Sequence, residues 1–513
     1  MNDLTLPRRQ FLLTSLGGAL AVRPFGILQA APRLPEDPFT LGVASGAPRP
    51  DSVVIWTRLA PKPLEGGGMP DHAVPVDWQV AEDDTFRRVV RKGRATAEPG
   101  SAHAVHVTVT GLRPGRWYWY RFKVGQAVSP VGRTRTAPAI GTGADLRFAY
   151  ASCQQYEQGF FSAYAELARR DLDLIVHLGD YIYESSWGSR HVRKHNGGIP
   201  TTLPEFRERY ALYKLDPDLQ AAHAAFPWLS IWDDHEVAND YTDDRSPVTP
   251  DRDQFLKMRA AAYQAYYEHM PMPVSARPHG PQAVIYDEYR FGDMVNLILL
   301  DDRQYRSHHA CLPGRSASPR VDCPERSSES RTMLGEAQER WVDQALAGTK
   351  ARWTIVAQQT LMAERDLDPG DGHGFWMDGW DGYAAGRRRL LDSIATHRTP
   401  NPVVIGGDVH AFFAADLKRD FHDEKVEVLA TEFCGTSITS EGPSAKGIAS
   451  VRAKNPHIKY ARGDKRGFAI VTLNKKRCEV GFEAVANEKE RNSPVSRIAS
   501  FVCLDGRPGV QEA

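Results

Sequence analysis

LRFAYASC (residues 146–153), FFSAYAELARR (160–170) and DLIVHLGDYIYE (173–184) follow one another with short connections. The first and third are apolar runs of strand length, and the middle one repeats apolar residues at helical spacing. Strand, helix and strand in this order make a β-α-β unit, the building block of an α/β domain with parallel strands. Each strand runs out into polar residues: Ser152 and Cys153 after the first, Asp180 and Tyr183 after the second. The same habit recurs in WLSIWDDHE (228–236), MVNLILLDDRQ (294–304), RWTIVAQQT (352–360) and PVVIGGDVH (402–410). Ligands collect outside the carboxyl edge of such sheets. LPEFRERYALY (203–213), FLKMRAAAYQAYYEHM (255–270) and EAQERWVDQALAG (336–348) read as helices between them, and GFAIVTL (467–473) and CEVGFEAVA (478–486) as late strands. The catalytic unit is expected over residues 145–500.

The preceding stretch has a different texture. FTLGVASG (39–46), SVVIWTRL (52–59), VPVDWQVA (74–81), AVHVTVTGL (104–112) and RWYWYRFKV (116–124) are short Val-, Thr- and aromatic-rich runs between Gly/Pro/Asp clusters. They predict a small all-β sandwich domain of immunoglobulin or fibronectin type over 38–137, with TAPAIGTGAD (136–145) as the hinge. Ahead of it, residues 1–30 place Arg8 and Arg9 before the apolar run Phe11–Val22 and end in Ala30, the layout of an export signal. The arginine pair resembles a twin-arginine signal, which implies the twin-arginine export machinery as a partner and the periplasm or cell exterior as the workplace. The apolar run is too short to span a bilayer.

Composition narrows the function classes. With 64 basic and 64 acidic residues, the chain has no net charge to offer nucleic acid, and no arginine-rich stripe compensates. Six cysteines in 513 residues are too few to staple the fold, so a hydrophobic core must hold it. Cys311 and Cys323, in the loop HHACLPGRSASPRVDCPERSSES, could close it with a local disulfide in an oxidising compartment, a pairing the sequence leaves open.

Asp180 and Tyr183, the run Asp233, Asp234 and His235, and the pair Asp408 and His410 all follow apolar strands. Carboxylates and imidazoles at several strand ends imply a convergent cation site, and oxygen-rich donors favour iron, manganese, calcium or magnesium. Cys153 adds a thiolate or is a small buried hydrophobe. No Gly-x-Ser-x-Gly elbow is present, which disfavours a serine esterase.

As an ordered set, Ser152-Cys153-Gln154, Gly179-Asp180-x-x-Tyr183, Asp233-Asp234-His235-Glu236 and Gly407-Asp408-Val409-His410 resemble the alkaline phosphatase D (PhoD-like) family of metallophosphoesterases. The resemblance covers most of the chain, including the β-sandwich ahead of the catalytic domain. It implies a metallophosphoesterase-type β-sheet sandwich flanked by helices. It also implies a ferric ion (Fe3+) held by Cys153, Asp180, Tyr183 and His410, with calcium (Ca2+, one or two ions) across a bridging Asp180. Asp234 and Asp408 are then the calcium ligands, completed by Asn239, Asp240 or Gln359. Relative to the wider superfamily, a cysteine stands where aspartate is commoner and Asp408 where histidine is usual, which weighs against ordinary dinuclear zinc or manganese chemistry.

The implied activity is hydrolysis of a phosphate ester substrate, monoester and diester, by metal-activated water. The alternatives are a dedicated secreted phosphodiesterase of phospholipase D-like type and, much less favoured, a metal-braced binding protein. His235 is the candidate to protonate the leaving group, oriented by Asp233 or Glu236, unless it is structural. Arg303 either meets phosphate through its guanidinium fork or pairs with a carboxylate. MDGWDGYAAGRRR, with Asp378, Trp380, Gly382 and Tyr383, resembles a family stretch and suggests a loop roofing the cleft. His373 is expected on an exposed loop.

Overall fold

Side chains along a strand point alternately to the two faces of its sheet, and in the catalytic unit both faces are buried. Along Val295–Leu299, the residues Val295, Leu297 and Leu299 enter one hydrophobic core and Ile298 enters a second. Ile355 and Val356, Val403 and Val404, and Phe412 and Phe413 divide in the same way. Continuous apolar runs in the sequence are the signature of this two-sided burial.

The computed structural model describes residues 36–312, 322–368 and 370–513. The expected export signal at 1–30 lies outside the described residues. These divided strands belong to a seven-stranded sheet in the order Asp287–Phe291, Val295–Leu299, Trp353–Ala357, Pro402–Gly406, Val428–Cys434, Phe412–Lys418, Ile458–Arg462. The run from Val295–Leu299 to Val428–Cys434 is parallel. A second sheet contributes the parallel strands Leu146–Ala151, Leu174–His177 and Pro227–Ser230, flanked on one side by the antiparallel Gly467–Leu473, Arg477–Val485, Val495–Leu504 and Arg507–Glu512. The two sheets pack face to face. Tyr150 donates to the carbonyl of Phe433 at 2.8 Å, and the rings of Phe412 and Phe482 stack with centroids 4.5 Å apart.

Helices cover the sandwich. The second core takes Val342 and Leu346 from helix Gly335–Gly348 and Leu390, Leu391 and Ile394 from helix Ala384–Thr396. Helices Leu203–Lys214 and Arg252–His269 join the first core through Tyr210, Tyr263 and Tyr266. The former begins with a capping box, Thr202 and Glu205 satisfying each other's backbone N–H groups, and a proline follows at the start of its first turn. Among the described residues no helix is long and apolar enough to cross a membrane.

The N-terminal β unit is a sandwich, as its strand pattern predicts, but one of its layers is shared. Val43–Gly46 pairs parallel with Pro227–Ser230, and Val53–Arg58 and Ala104–Val109 follow it, so the second sheet grows to ten strands. The other layer is a five-stranded sheet built on Val89–Ala97, Val74–Ala81 and Trp117–Val124. Val43, Val53 and Ile55 face Val76, Tyr118, Tyr120 and Phe122 in a core of their own. The indole of Trp56 donates to the Glu268 carbonyl at 3.0 Å, and His106 Nε2 lies 2.9 Å from the Met270 carbonyl. The stretch 136–145 therefore joins two units that are already hydrogen-bonded into one sheet, instead of acting as a free hinge.

Candidate metal centre

The polar residues that follow the parallel strands turn sharply. Cys153, Asp180, Asp408 and His410 adopt left-handed backbone conformations, with φ of 59°, 55°, 63° and 52°. For a residue with a side chain each such conformation costs on the order of 1–3 kcal/mol and persists only where the surroundings impose it. Here the turns are tied to one another. The N–H of Cys153 donates to the Gly179 carbonyl at 3.1 Å and that of Gln154 to the Asp180 carbonyl at 3.1 Å. Ser152 bridges to Ser437 and so links the two sheets at this edge. Gly179, at φ +108°, lies so close to Asp233 that a Cβ there would collide with it.

Two groups of donors result. In the first, Cys153, Asp180 and His410 present ligand atoms all within 4.8 Å of one another. The Tyr183 hydroxyl joins them, 2.8 Å from Asp180 Oδ2 and 3.2 Å from His410 Nε2. His410 Nδ1 lies 2.7 Å from the Glu441 carbonyl, which leaves Nε2 as the ring's ligand atom. Burial, with help from Arg466, pushes its pKa down to about 3, so the imidazole is neutral, the form that binds metal. In the second group, Asp180 meets Asp233 and Asp408, while Asp234 meets Asp240 and Asp378 within the same limit. Asp180 also meets Asp234 and His235, and so stands between the two groups.

The electrostatics fit a pair of cations. Burial pushes the Asp180 carboxyl well above the usual range; His235 opposes this, while Asp234 and Asp233 reinforce it. Burial likewise lifts Asp408 to about 7 against the pull of Arg303, and raises the Cys153 thiol with Asp180 and Asp408 adding to the effect. Asp180 Oδ1, Asp233 Oδ2 and Asp408 Oδ2 are buried without a hydrogen-bond partner. Carboxylates crowded out of water need positive charge, and these oxygens stay without a hydrogen-bond partner even with Arg303 and His235 nearby. The thiol, phenol and imidazole side suits a strongly Lewis-acidic transition metal, and the all-carboxylate side a hard cation.

Residues 148–482 match the PhoD-like phosphatase family, and residues 26–138 match the N-terminal domain of PhoD-like phosphatases. Alkaline phosphatase D of Bacillus subtilis (strain 168) is 43% identical over 526 residues, covering 99% of this chain and 89% of that protein. The chain belongs to the PhoD-like phosphatase family. As a member it is a metal-dependent phosphoesterase. The solved structure of PhoD superposes with a TM-score of 0.91 at 42% identity, covering 94% of this chain and 93% of that one. A purple acid phosphatase from yellow lupin (Lupinus luteus) seeds shares the fold at a TM-score of 0.55 and 10% identity, covering 88% of this chain and 73% of that one.

Around this phosphatase centre the structure distributes the remaining residues differently from their sequence-based roles. Arg303 is wholly buried behind the carboxylates. Its Nε donates to Asp233, its Nη1 to Asp378 Oδ2 at 2.6 Å, and its Nη2 lies 3.7 Å from Asp234 and 3.9 Å from Asp408. Asp378 also receives Arg306 at 3.0 Å and His309 at 2.8 Å. Arg303 thus takes the ion-pair alternative and braces the acids from below. Trp380, Gly382 and Tyr383 are buried with Asp378, so this stretch packs under the centre instead of roofing it. Gln359 is committed to backbone groups: its Nε2 donates to the carbonyls of Trp232 and Leu300 at 2.8 and 3.1 Å, and its Oε1, the atom calcium would take, accepts the Asp302 N–H at 3.2 Å.

His235 is oriented by Glu184, whose Oε2 is 2.6 Å from Nδ1. Asp233 is paired with Arg303, and Glu236 accepts the backbone N–H groups of Asp180, Tyr181 and Asp233, so neither reaches the ring. Burial opposes a charged His235, yet Glu184 first, then Asp234 and Asp180, hold its pKa well above the ordinary value. Asn239 donates its N–H to Glu184 at 3.0 Å and lines the cavity over the centre. That cavity, about 610 Å³, also meets Asp234, Asp408, His410, Trp187 and Arg365, and among the described residues nothing before Ser185 lines it. Glu184, Trp187 and Arg365 escape the sequence reading. Glu184 has the clearest signal, since it directly follows Tyr183 in the same turn. His373 lies outside the cavity lining, 2.7 Å from Asp366 and half exposed.

Proposed function

We propose that this phosphatase hydrolyses phosphomonoesters, and phosphodiesters in the same cavity, with a ferric ion at Cys153, Asp180, Tyr183 and His410 and calcium at Asp234 and Asp408. Asp180 would serve both ions, and Asn239 or Asp240 would complete the calcium side. The observation that carries this reading is the position of Asp180, shared by both donor groups with one buried oxygen lacking any hydrogen-bond partner. When bound, the two cations would acidify a water and offset the charge of the phosphoryl group.

The chain's own residues do the rest. Glu184 fixes the His235 ring through Nδ1 and favours its protonated form, in which Nε2 holds a proton for the departing alkoxide. The water oxygen forms a bond to phosphorus and its proton passes to solvent, the bond to the alcohol oxygen breaks, and His235 gives that oxygen its proton and regains one from solvent. Arg303 holds Asp233 and Asp378 in place beneath the centre. The cavity is larger than a phosphoryl group requires, which supports room for the second substituent of a diester.

Export through the twin-arginine machinery to the periplasm or exterior belongs to the same proposal. It rests on Arg8 and Arg9, and it is supported by the disulfide between Cys311 and Cys323. The test is elemental analysis of the exported protein together with turnover of 4-nitrophenyl phosphate and bis(4-nitrophenyl) phosphate. Iron and calcium with hydrolysis of both esters is the expected result; a zinc-only protein, or no turnover of either, overturns the proposal.

A further inference from the structure

The cavity over the metal centre is lined by two kinds of residue. Asp234, His235, Asp408 and His410 are polar and adjoin the centre; Leu367, Trp376, Pro443, Ile448 and Val451 make an apolar wall, with Arg365 5.7 Å from the Trp376 ring and Val409 between the two sets. Ile448 and Val451 lie three residues apart on helix Ala445–Lys454 and so share a face. They belong with Val409 to the second core, against which Leu367 and Trp376 also pack, so this wall is an extension of the protein interior that opens into the same cavity as the centre.

The wall is held in place from both sides. Ser444 caps the helix by accepting the N–H of Gly447 at 3.2 Å. At its other end Asn455 exchanges two hydrogen bonds with the backbone of Asp366, each 3.0 Å, next to Leu367. A phosphoryl group and its cations have no use for such a surface. An apolar substituent leaving from the phosphorus would cover it and gain from the area removed from water.

We propose that this wall is a leaving-group subsite, and that the preferred substrates are phosphate esters of apolar alcohols, aryl or alkyl. The proposal rests on the phosphoesterase reading of the adjoining centre. The shared cavity supplies the geometry: His235, Trp376 and Ile448 all line it, so the hydrocarbon of a leaving alcohol has the apolar residues within the same space.

Ethyl phosphate and hexyl phosphate test it, since their alcohols have similar acidity and differ in apolar surface. With the metal-loaded enzyme, hexyl phosphate should show a kcat/KM about 10- to 100-fold higher, for four added methylenes partly covered, with the difference in KM. In Ile448→Ser and Trp376→Ser the hexyl-to-ethyl ratio should fall at least about fivefold, on the same transfer scale. Hexylphosphonate should likewise inhibit wild type more strongly than ethylphosphonate, a comparison that needs no variant to fold. Hydrolysis of both esters at equal kcat/KM, or a preference for glycerol phosphate over hexyl phosphate, overturns the subsite and leaves the phosphatase reading standing. Turnover of no ester at all fails the phosphatase reading instead.

Discussion

Glu184→Gln isolates the proton-transfer claim. The substitution keeps the size of the side chain but removes its charge, and it leaves one acceptor oxygen where two are used. Glu184 accepts from His235 Nδ1 at 2.6 Å and from the N–H of Asn239 at 3.0 Å, so the new amide must turn its NH2 toward one of these two donors. A hydrogen bond between charged partners contributes about 1.5–3 kcal/mol, and its loss corresponds to roughly 10- to 150-fold in rate if it acts through the protonated ring. We expect kcat/KM for an alkyl phosphate to fall by about that factor, and by less than about threefold for 4-nitrophenyl phosphate, whose leaving group needs little protonation. The pH dependence has a definite sign. Glu184 raises the His235 pKa, so the wild-type acid form survives to higher pH, and the alkaline limb of the alkyl-ester profile should move to lower pH in the variant. In a His235→Ala background the same change should cost little more, because the two residues act as a unit. Equal losses on both esters, an unmoved alkaline limb and additive effects in the double variant would refute the argument.

Three further outcomes are expected. Cys153→Ser and Tyr183→Phe should each lower iron per chain and shift or remove a visible charge-transfer band, and unchanged iron and spectrum in both would take these residues out of the metal shell. Chelation should abolish turnover and lower the Tm by several degrees, since the buried acids lose the charges that offset one another; calcium with iron should restore both properties and zinc should not. Lys214, buried beside the Trp56 ring at 4.5 Å, has its pKa pushed down by burial from 10.5 to about 7. The unfolded chain therefore binds the extra proton between these values, stability rises with pH across that window and is lowest below it, and Lys214→Met should flatten the slope and add up to about 4 kcal/mol at pH 7 in urea titrations.

The strands and the gathering of their polar ends are legible in the sequence because each candidate ligand closely follows an apolar run, so element and candidate site are read from one pattern. Residues whose role depends on direction across space are less legible. Nothing in WDDHE says that His235 turns its Nδ1 toward Glu184, or that Arg303 enters its carboxylates from beneath. The shared sheet is invisible for the same reason, since Val43–Gly46 pairs with a strand far along the chain. Strand Val89–Ala97 is missed because VVRKGRATA is rich in charged residues and packs only Val90, Ala95 and Ala97 against its core. Helix Ala384–Thr396 is hidden by its glycine and its arginine run, although Leu390, Leu391 and Ile394 give it a buried stripe.

The centre and the substrate wall are built from different parts of the fold, and this has a consequence for specificity. Cys153, Asp180, Asp408 and His410 are held in unfavourable backbone conformations by hydrogen bonds among turns that leave parallel strands of both sheets. Such positions tolerate little change, because a shift in one turn is passed to the next through the Cys153–Gly179 and Gln154–Asp180 bonds. Apart from Val409, which sits in the Asp408–His410 turn, the apolar wall draws on helix Ala445–Lys454 and on Leu367 and Trp376, which line the cavity without belonging to those turns. Substitutions at Ile448 or Trp376 can therefore alter which alcohol is accepted while the carboxylates keep their spacing. Substitutions at Gly179 cannot, since any side chain there meets Asp233. Reaction and substrate choice are in this sense separable in the PhoD-like scaffold.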